Sequence, residues 1–381
     1  MLERIVILGS GVMGAGSAAL FASHGLPTTI VARTREKALA GKAAAERLAK
    51  QPLVIDVATY DAIPDADFIL ECVAEDLATK RELFAGLEGR DAIIASVSSG
   101  LSITEMCADR SLAFKARFLG VHLFNPPTQI TGCELIAHSL TSEDTLDAVR
   151  VLLLRVKRKI VETADTPGFA GNRVGFRLLN HVAQLAEEHG VAFMDALLGP
   201  HTGRVLAPLA TIDLVGWDVH AAICDHLHAH SGDPVFAVPD YMRRGIERGH
   251  LGRKTHELGG FYRQSQVLDP GSGEYEPKPS LVPAQIGRMQ GAPDLEALMR
   301  LIATDSSHEA CLLRSVLLSY VSHGLSLVGE VVNEPADIDR IMGYGFSWAS
   351  PTQLVEAIGA EPMIELLAKE GLAVPAVLHA A

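Results

Sequence analysis

A chain of 381 residues is longer than one hydrophobic core sustains, so two or three domains are expected. Hydrophobic residues make up 48% and charged ones 21%, which excludes intrinsic disorder, and no run approaches the length of a membrane span. The net charge of −13 argues against nucleic acid or an anionic membrane as the main partner, and the five cysteines form no CxxC pair, which points away from a disulfide framework or a zinc site.

The first apolar run, "RIVIL" (residues 4–8), reads as a strand, and it opens the chain with neither a charged leader nor a cleavage site. With the cysteine usage of a reducing compartment, this makes cytoplasm the expected location. The next residues, "GSGVMGAGSAALFASHG", run through a turn into an Ala-rich helix ending at Gly25. Gly9, Gly11 and Gly14 therefore form GxGxxG between a strand and a helix, the context in which the pattern is informative. Gly9 permits a tight turn, Gly11 lets backbone approach a pyrophosphate, and Gly14 lets helix pack on strand. Val12 and Met13 open the helix, where free N–H groups and the positive end of the dipole favour phosphate. A nicotinamide dinucleotide is the expected cofactor.

The second strand, "PTTIVA", runs into "RTREKA". NAD sites hold an acid here for the ribose 2′-hydroxyl, whereas NADP sites tend toward basic residues. No carboxylate follows Ala32. Arg33 and Thr34, with Arg35 beyond, suit a 2′-phosphate, so the expectation is NAD or NADP with a lean to NADP; the alternative is that both arginines are solvated surface residues.

Further strands are expected at "FILECV" (68–73), "AIIASV" (92–97) and "RFLGVH" (117–122), with helical stretches such as "LATKRELFAGLE" between them. The alternation implies an α/β doubly wound, mostly parallel sheet of Rossmann type, which binds ligands beyond the carboxyl ends of its strands. Polar residues collect at those ends: Glu75 after one strand, Ser96, Ser98 and Ser99 after another, His122 and Asn125 after the third. Each alone reads as a helix cap. Together they read as a site.

His122 and Glu134 lie twelve residues apart around "NPP". Hydride transfer from an alcohol carbon needs a base for the hydroxyl proton, and imidazole accepts and returns one near neutral pH. A carboxylate on the other ring nitrogen fixes the tautomer and stabilises the imidazolium. Glu134 opens "ELIA", placing it at the start of the next strand, and the prolines force an extended turn that folds one residue back toward the other.

At these residues the sequence resembles the 3-hydroxyacyl-CoA dehydrogenase family. The family's HFFNP appears as His122-Leu123-Phe124-Asn125-Pro126, with a glutamate at the family's spacing. "GSGVMGAG", "ECVAEDLATKRELF", "ASVSSGLSIT" and "DTPGFAGNRV" match its other segments. The resemblance implies that Glu75, Lys80, Ser99 and Asn125 lie near the cofactor and that Ser99 and Asn172 hold the substrate near its reacting oxygen. By the same resemblance His122 is the base and Glu134 orients it. There are departures. The acid after the second strand is missing, Val97 and Gly100 stand where polar residues are common, and "ITGCE" is less apolar than the family's lead-in. Residues 36–62 leave room for one helix and a short strand where the family usually inserts a long helical hairpin that helps hold coenzyme A.

From "DTPGFAGNRVGF" onward the period shifts to that of helices, with Phe176, Leu179, Val182, Ala183 and Ala186 on one face. Asp165 or Thr166 is the expected helix start. Residues 194–218 and 338–361 share helix, glycine-rich loop, proline and a helix ending in glycine, an internal repeat. The expected division is 1–164 for the dinucleotide domain, 165–270 for a helical substrate and dimerisation domain, 271–300 for a Pro/Gly-rich connector and 301–381 for a second helical repeat. His220, His226, His228 and His230 do not share a helix face, so no metal is expected.

The combined expectation is a cytoplasmic oxidoreductase of the fatty-acid β-oxidation type, an NAD(P)-dependent (S)-3-hydroxyacyl-CoA dehydrogenase, assembled as a homodimer. Two alternatives stay open: a dehydrogenase or reductase of a small hydroxy acid without coenzyme A, and a non-catalytic NAD(P)-binding protein.

Overall fold

The computed structural model describes residues 2–280 and 282–379. Met1, Leu281, Ala380 and Ala381, which belong to the expected segments 1–164, 271–300 and 301–381, lie outside the described residues. Two compact units divide between Phe169 and Ala170.

The first unit is built on an eight-stranded sheet: β1 (Ile5–Leu8), β2 (Thr28–Ala32), β3 (Ile55–Thr59), β4 (Phe68–Glu71), β5 (Ile93–Ser96), β6 (Phe118–Leu123), β7 (Gly132–Ile136) and β8 (Lys159–Thr163), in spatial order 3-2-1-4-5-6-7-8. Neighbours run parallel except for the antiparallel pair β6 and β7. The helices between them are α1 (Val12–Ser23), α2 (Arg35–Ala49), α3 (Leu77–Ala85), α4 (Ile103–Met106), α5 (Leu112–Ala116) and α6 (Glu143–Arg155). β1 shows why both sheet faces are covered: Ile5 and Ile7 enter one hydrophobic cluster, Val6 and Leu8 another. A strand buried on both faces must be apolar throughout, and each such side chain contributes about 1.5–3 kcal/mol.

Residues 36–62 hold most of α2, then β3 and a short 3-10 turn at Tyr60–Ala62, with no second α-helix among these described residues. β4 stops at Glu71, two residues before the apolar run "FILECV" ends, because the Val73 N–H turns to the Glu71 carboxylate (2.6 Å) instead of continuing the ladder. Asp165 does not start a long helix. Its carboxylate accepts from Ile103 N (2.9 Å) and Thr104 N (2.8 Å) and so caps α4. Pro167 and two positive-φ residues, Gly168 (72°) and Phe169 (50°), turn the chain before the next helix begins at Gly171.

The second unit holds α7 (Gly171–His189), α8 (Val191–Leu197), α9 (Pro208–Val215), α10 (Trp217–Ser231), α11 (Asp240–Glu247), α12 (Ala284–Gln290), α13 (Leu295–Thr304), α14 (His308–Ser326), α15 (Pro335–Ile341), α16 (Pro351–Ile358) and α17 (Ala360–Lys369). The repeat is plain in the lengths: α7, α8 and α9 have 19, 7 and 8 residues, and so do α14, α15 and α16. Gly216 (φ 102°) and Gly359 (φ 91°) break the third helix from the fourth in both copies, a conformation that favours glycine. Two features differ from an all-helical unit with a connector. A three-stranded sheet is formed by Tyr262–Arg263, Gln266–Leu268 and Tyr275–Pro277, and the stretch 271–300 contains α12 and the start of α13, capped by Asp294 accepting from Ala297 N at 2.8 Å. His220 is buried against Asn180 (3.0 Å). Among the described residues no group of three or more His, Cys, Asp or Glu is arranged to hold a metal, and no helix is long and apolar enough to cross a membrane.

Candidate active site

The three glycines of the first turn do three different jobs. Gly9 has a φ of +117°, and a Cβ there would lie 2.5 Å from the Cys72 carbonyl oxygen. A Cβ on Gly14 would lie 2.1 Å from the Gly9 oxygen, which is the close packing of α1 on the turn. Gly11 is different: a Cβ would meet nothing within 4 Å, and its φ is an ordinary −73°. No contact within the chain requires glycine there, whereas close approach of a ligand to the backbone does. Gly9 and Gly11 line a cleft of about 780 Å³ together with Arg33, Lys37, Tyr60 and Val73. Val12 and Met13 form the first turn of α1, and Val12 is 70% exposed, so this helix end is open. A cleft of this size, a bare glycine and an open helix N-terminus fit a dinucleotide.

Arg33 is exposed and lines the cleft at the end of β2. Thr34 is occupied as the cap of α2, its hydroxyl accepting from Lys37 N at 3.3 Å. Lys37, one turn along α2, brings a second cation to the cleft, a residue that sequence reasoning did not single out.

Beyond β4 and β5 lies a buried ionic network. Lys80 and Glu71 have no exposed side-chain surface, and the Lys80 Nζ stands 2.7 Å from both Glu71 oxygens. The same ammonium lies 3.3 Å from Glu75, which is half-exposed. Glu71 accepts a further bond from Ser96 Oγ (2.5 Å). Glu75 accepts from the Ser98 hydroxyl and from Ser99 N (3.0 Å). Burial pushes the Glu75 carboxyl up, but the Lys80 charge and the bonds from Ser98 and Ser99 outweigh it and hold the group below its ordinary value. Glu71 was missed in the sequence, although one signal was there: a lone acid inside an apolar strand buried on both faces.

His122 and Glu134 are direct partners in the antiparallel register of β6 and β7, so both side chains leave the same face of the sheet. Nδ1 of His122 lies 2.6 Å from Glu134 Oε2, and both residues are buried. Glu134 is thus in the middle of β7 rather than at its start. With Nδ1–H donating to the carboxylate, the neutral ring carries its lone pair on Nε2, the form a general base requires. The rings of Phe124 and Phe169, with centroids 4.9 and 5.8 Å away, wall the imidazole. Arg158, buried at the foot of β8, donates to the Pro127 and Ile130 carbonyls (2.9 and 2.5 Å) and pins the turn between the two strands. Asn125 is exposed in that turn. Asn172 belongs to the second unit, buried in the first turn of α7.

The first unit therefore brings together, at the carboxyl ends of its parallel strands, a turn suited to pyrophosphate, a buried ionic network under a serine turn and an acid-oriented histidine. Residues 4–166 match the family profile described as 3-hydroxyacyl-CoA dehydrogenase, NAD binding domain, and residues 168–264 match the one described as 3-hydroxyacyl-CoA dehydrogenase, C-terminal domain. A 3-hydroxybutyryl-CoA dehydrogenase of Clostridioides difficile is 30% identical over 281 residues, covering 68% of this chain and 98% of its own. A probable 3-hydroxyacyl-CoA dehydrogenase of Bacillus subtilis is also 30% identical, over an alignment of 421 residues that covers 98% of this chain and 53% of its own, so the chain spans about half the length of that relative. Among solved structures, 3-hydroxybutyryl-CoA dehydrogenase from Escherichia coli K12 superposes with a TM-score of 0.76 at 20% identity, covering 100% of this chain and 98% of its own, a likeness of fold. On the two profiles and the Clostridioides relative, this chain belongs to the 3-hydroxyacyl-CoA dehydrogenase family.

Proposed function

We propose that the chain is an (S)-3-hydroxyacyl-CoA dehydrogenase of the fatty-acid β-oxidation type. The observation that carries this is the buried His122–Glu134 pair (2.6 Å), on the strand next but two to the glycine turn in the same sheet. His122 Nε2 takes the proton of the substrate's 3-hydroxyl as the carbon is oxidised and returns it in the reverse direction. Glu134 holds the ring in the accepting tautomer and balances the imidazolium that forms. The nicotinamide, when bound, accepts or supplies the hydride. Gly9, Gly11, Val12, Met13 and Gly14 cradle the pyrophosphate, while Glu75, Ser99 and Asn125, with Lys80 behind them, serve the nicotinamide half. By the family resemblance Ser99, and Asn172 on α7 of the second unit, are substrate residues.

The cofactor reading leans to NADP. Arg33 and Lys37 line the cleft where a 2′-phosphate would sit, and no carboxylate follows β2. We assign a cytoplasmic homodimer as the working form, measurable by light scattering. A second reading, a small hydroxy acid without coenzyme A, is favoured by α2 and β3 occupying the place of the family's longer hairpin. Oxidation of NADH and of NADPH is followed with acetoacetyl-CoA and with free acetoacetate. Turnover of the thioester alone supports the first reading, turnover of the free acid supports the second, and no turnover of either defeats both.

A further inference from the structure

We propose that Glu71 is a positioning residue, acting through Lys80 and Ser96 to hold the serine turn at residues 96–99 in its working geometry. Its four bonds are unusual for a residue that touches neither cleft nor solvent. The carboxylate receives Val73 N (2.6 Å), Ser96 Oγ (2.5 Å) and the Lys80 ammonium at both oxygens (2.7 Å each). Those bonds fill the acceptor capacity of an ionised carboxylate. From there two chains of contact run to the turn. In one, Ser96 Oγ, donating to Glu71, accepts from Ser98 N (3.2 Å). In the other, Lys80 reaches Glu75 (3.3 Å), which takes the Ser98 hydroxyl and Ser99 N (3.0 Å). Both ends of the turn therefore hang from carboxylates joined by a single buried ammonium.

Stability alone does not account for the pair. Burying an ammonium and a carboxylate costs more desolvation than an apolar pair of the same volume, and such replacements are often neutral or stabilising. What the ion pair adds is direction. The Lys80 charge, with the Ser98 and Ser99 bonds, holds the Glu75 carboxyl below its ordinary value against burial and leaves its lone pairs for two donors of the turn. Take away the ammonium, and burial raises the Glu75 carboxyl with only the Ser98 and Ser99 bonds opposing it, so it protonates at a higher pH and then loses an acceptor. Glu71 in turn fixes where that ammonium stands. The proposal rests on the dehydrogenase reading only for what the turn touches; its structural content does not.

The test compares the parent with Glu71→Met/Lys80→Met, which swaps the pair for apolar groups, and with Glu71→Gln, which keeps the shape of the acceptor. Backbone hydrogen exchange is read at residues 96–101, and binding of NADH and of NADPH is titrated by nicotinamide fluorescence from pH 5 to 8. Expected in the double variant is a melting temperature lowered by the Val73 N–H and Ser96 hydroxyl losing their acceptor, exchange in the turn faster by about tenfold with the β1 strand unchanged, and cofactor binding that weakens on acidification at a higher pH than in the parent. Glu71→Gln shows the same changes at smaller size, and it carries the test if the double variant does not fold. Parent-like exchange in the turn together with a parent-like pH profile overturns the proposal. If the parent itself binds neither NADH nor NADPH, the dehydrogenase reading fails, while the exchange measurement still decides the role of Glu71.

Discussion

His122 and Glu134 face each other across the one antiparallel step of an otherwise parallel sheet, and their side chains close a 2.6 Å bond inside the protein. An antiparallel pair puts two side chains opposite one another, so once the turn between β6 and β7 has set the register the orientation of the ring is a property of the sheet. Glu134→Gln keeps a hydrogen-bond acceptor for Nδ1–H but removes the charge that balances the imidazolium. The turnover number for acetoacetyl-CoA reduction is expected to fall about a hundredfold, with binding of the nicotinamide cofactor unchanged. Steady-state kinetics beside a cofactor titration check this, and a loss of cofactor binding equal to the loss of turnover would mean that Glu134 is simply structural.

Gly11 and Gly9 separate ligand from fold. A side chain on Gly11 meets nothing in the chain, whereas one on Gly9 meets the Cys72 carbonyl at a φ of +117°. Gly11→Ala is expected to weaken NADH binding at least about tenfold with little change in melting temperature. Gly9→Ala is expected to lower the melting temperature as well. Thermal unfolding and fluorescence titration of both variants decide it.

A substitution at Arg33 tests the proposed cofactor preference. Arg33→Asp removes a cation from the end of β2 and adds the acid that ribose 2′-hydroxyl recognition uses, so kcat/KM for NADPH relative to NADH is expected to drop about tenfold or more. An unchanged ratio would show that the arginine is a solvated surface residue.

Acid is expected to unfold the second unit through two histidines, the buried His220 and the half-buried His323. Burial drives His220 and His323 down to about 3, His323 with Arg177 and Arg173 adding to the effect and Asp233 opposing it. A base whose folded-state pKa lies below its unfolded value is neutral in the native chain, so its stability contribution is complete above about pH 6.5 and is lost as pH falls toward 3. Each such group adds a slope of about 1.4 kcal/mol per pH unit in that window. Asp195 runs the other way, since burial raises it to about 6 and protonation there favours the folded state. His323→Gln is expected to remove one proton's worth of the acid slope in urea unfolding measured between pH 6 and 4.5; an unaltered slope contradicts the assignment.

Much of the first unit was legible because its signals are local. A strand, a glycine turn and a helix within twenty-odd residues announce themselves, and so does the spacing of His122 and Glu134. The register was not legible. Whether Glu134 begins β7 or sits in its middle depends on how the NPP turn is pinned, and Arg158, the residue that pins it, lies far along the chain. Glu71 was hidden for a related reason: it lies within the apolar run 68–73, which reads as strand throughout, and its partner Lys80 comes from the next helix. Asp165 read as the cap of the helix that follows it, but caps one sixty residues earlier. Side chains that act across the sheet leave no periodic trace.

The most direct measurement is the single-turnover rate of acetoacetyl-CoA reduction by His122→Gln with the reduced cofactor prebound. A base held by Glu134 and acting through Nε2 predicts a rate lower than that of the parent by about a hundredfold or more with cofactor affinity unaltered. A rate within tenfold of the parent would contradict it.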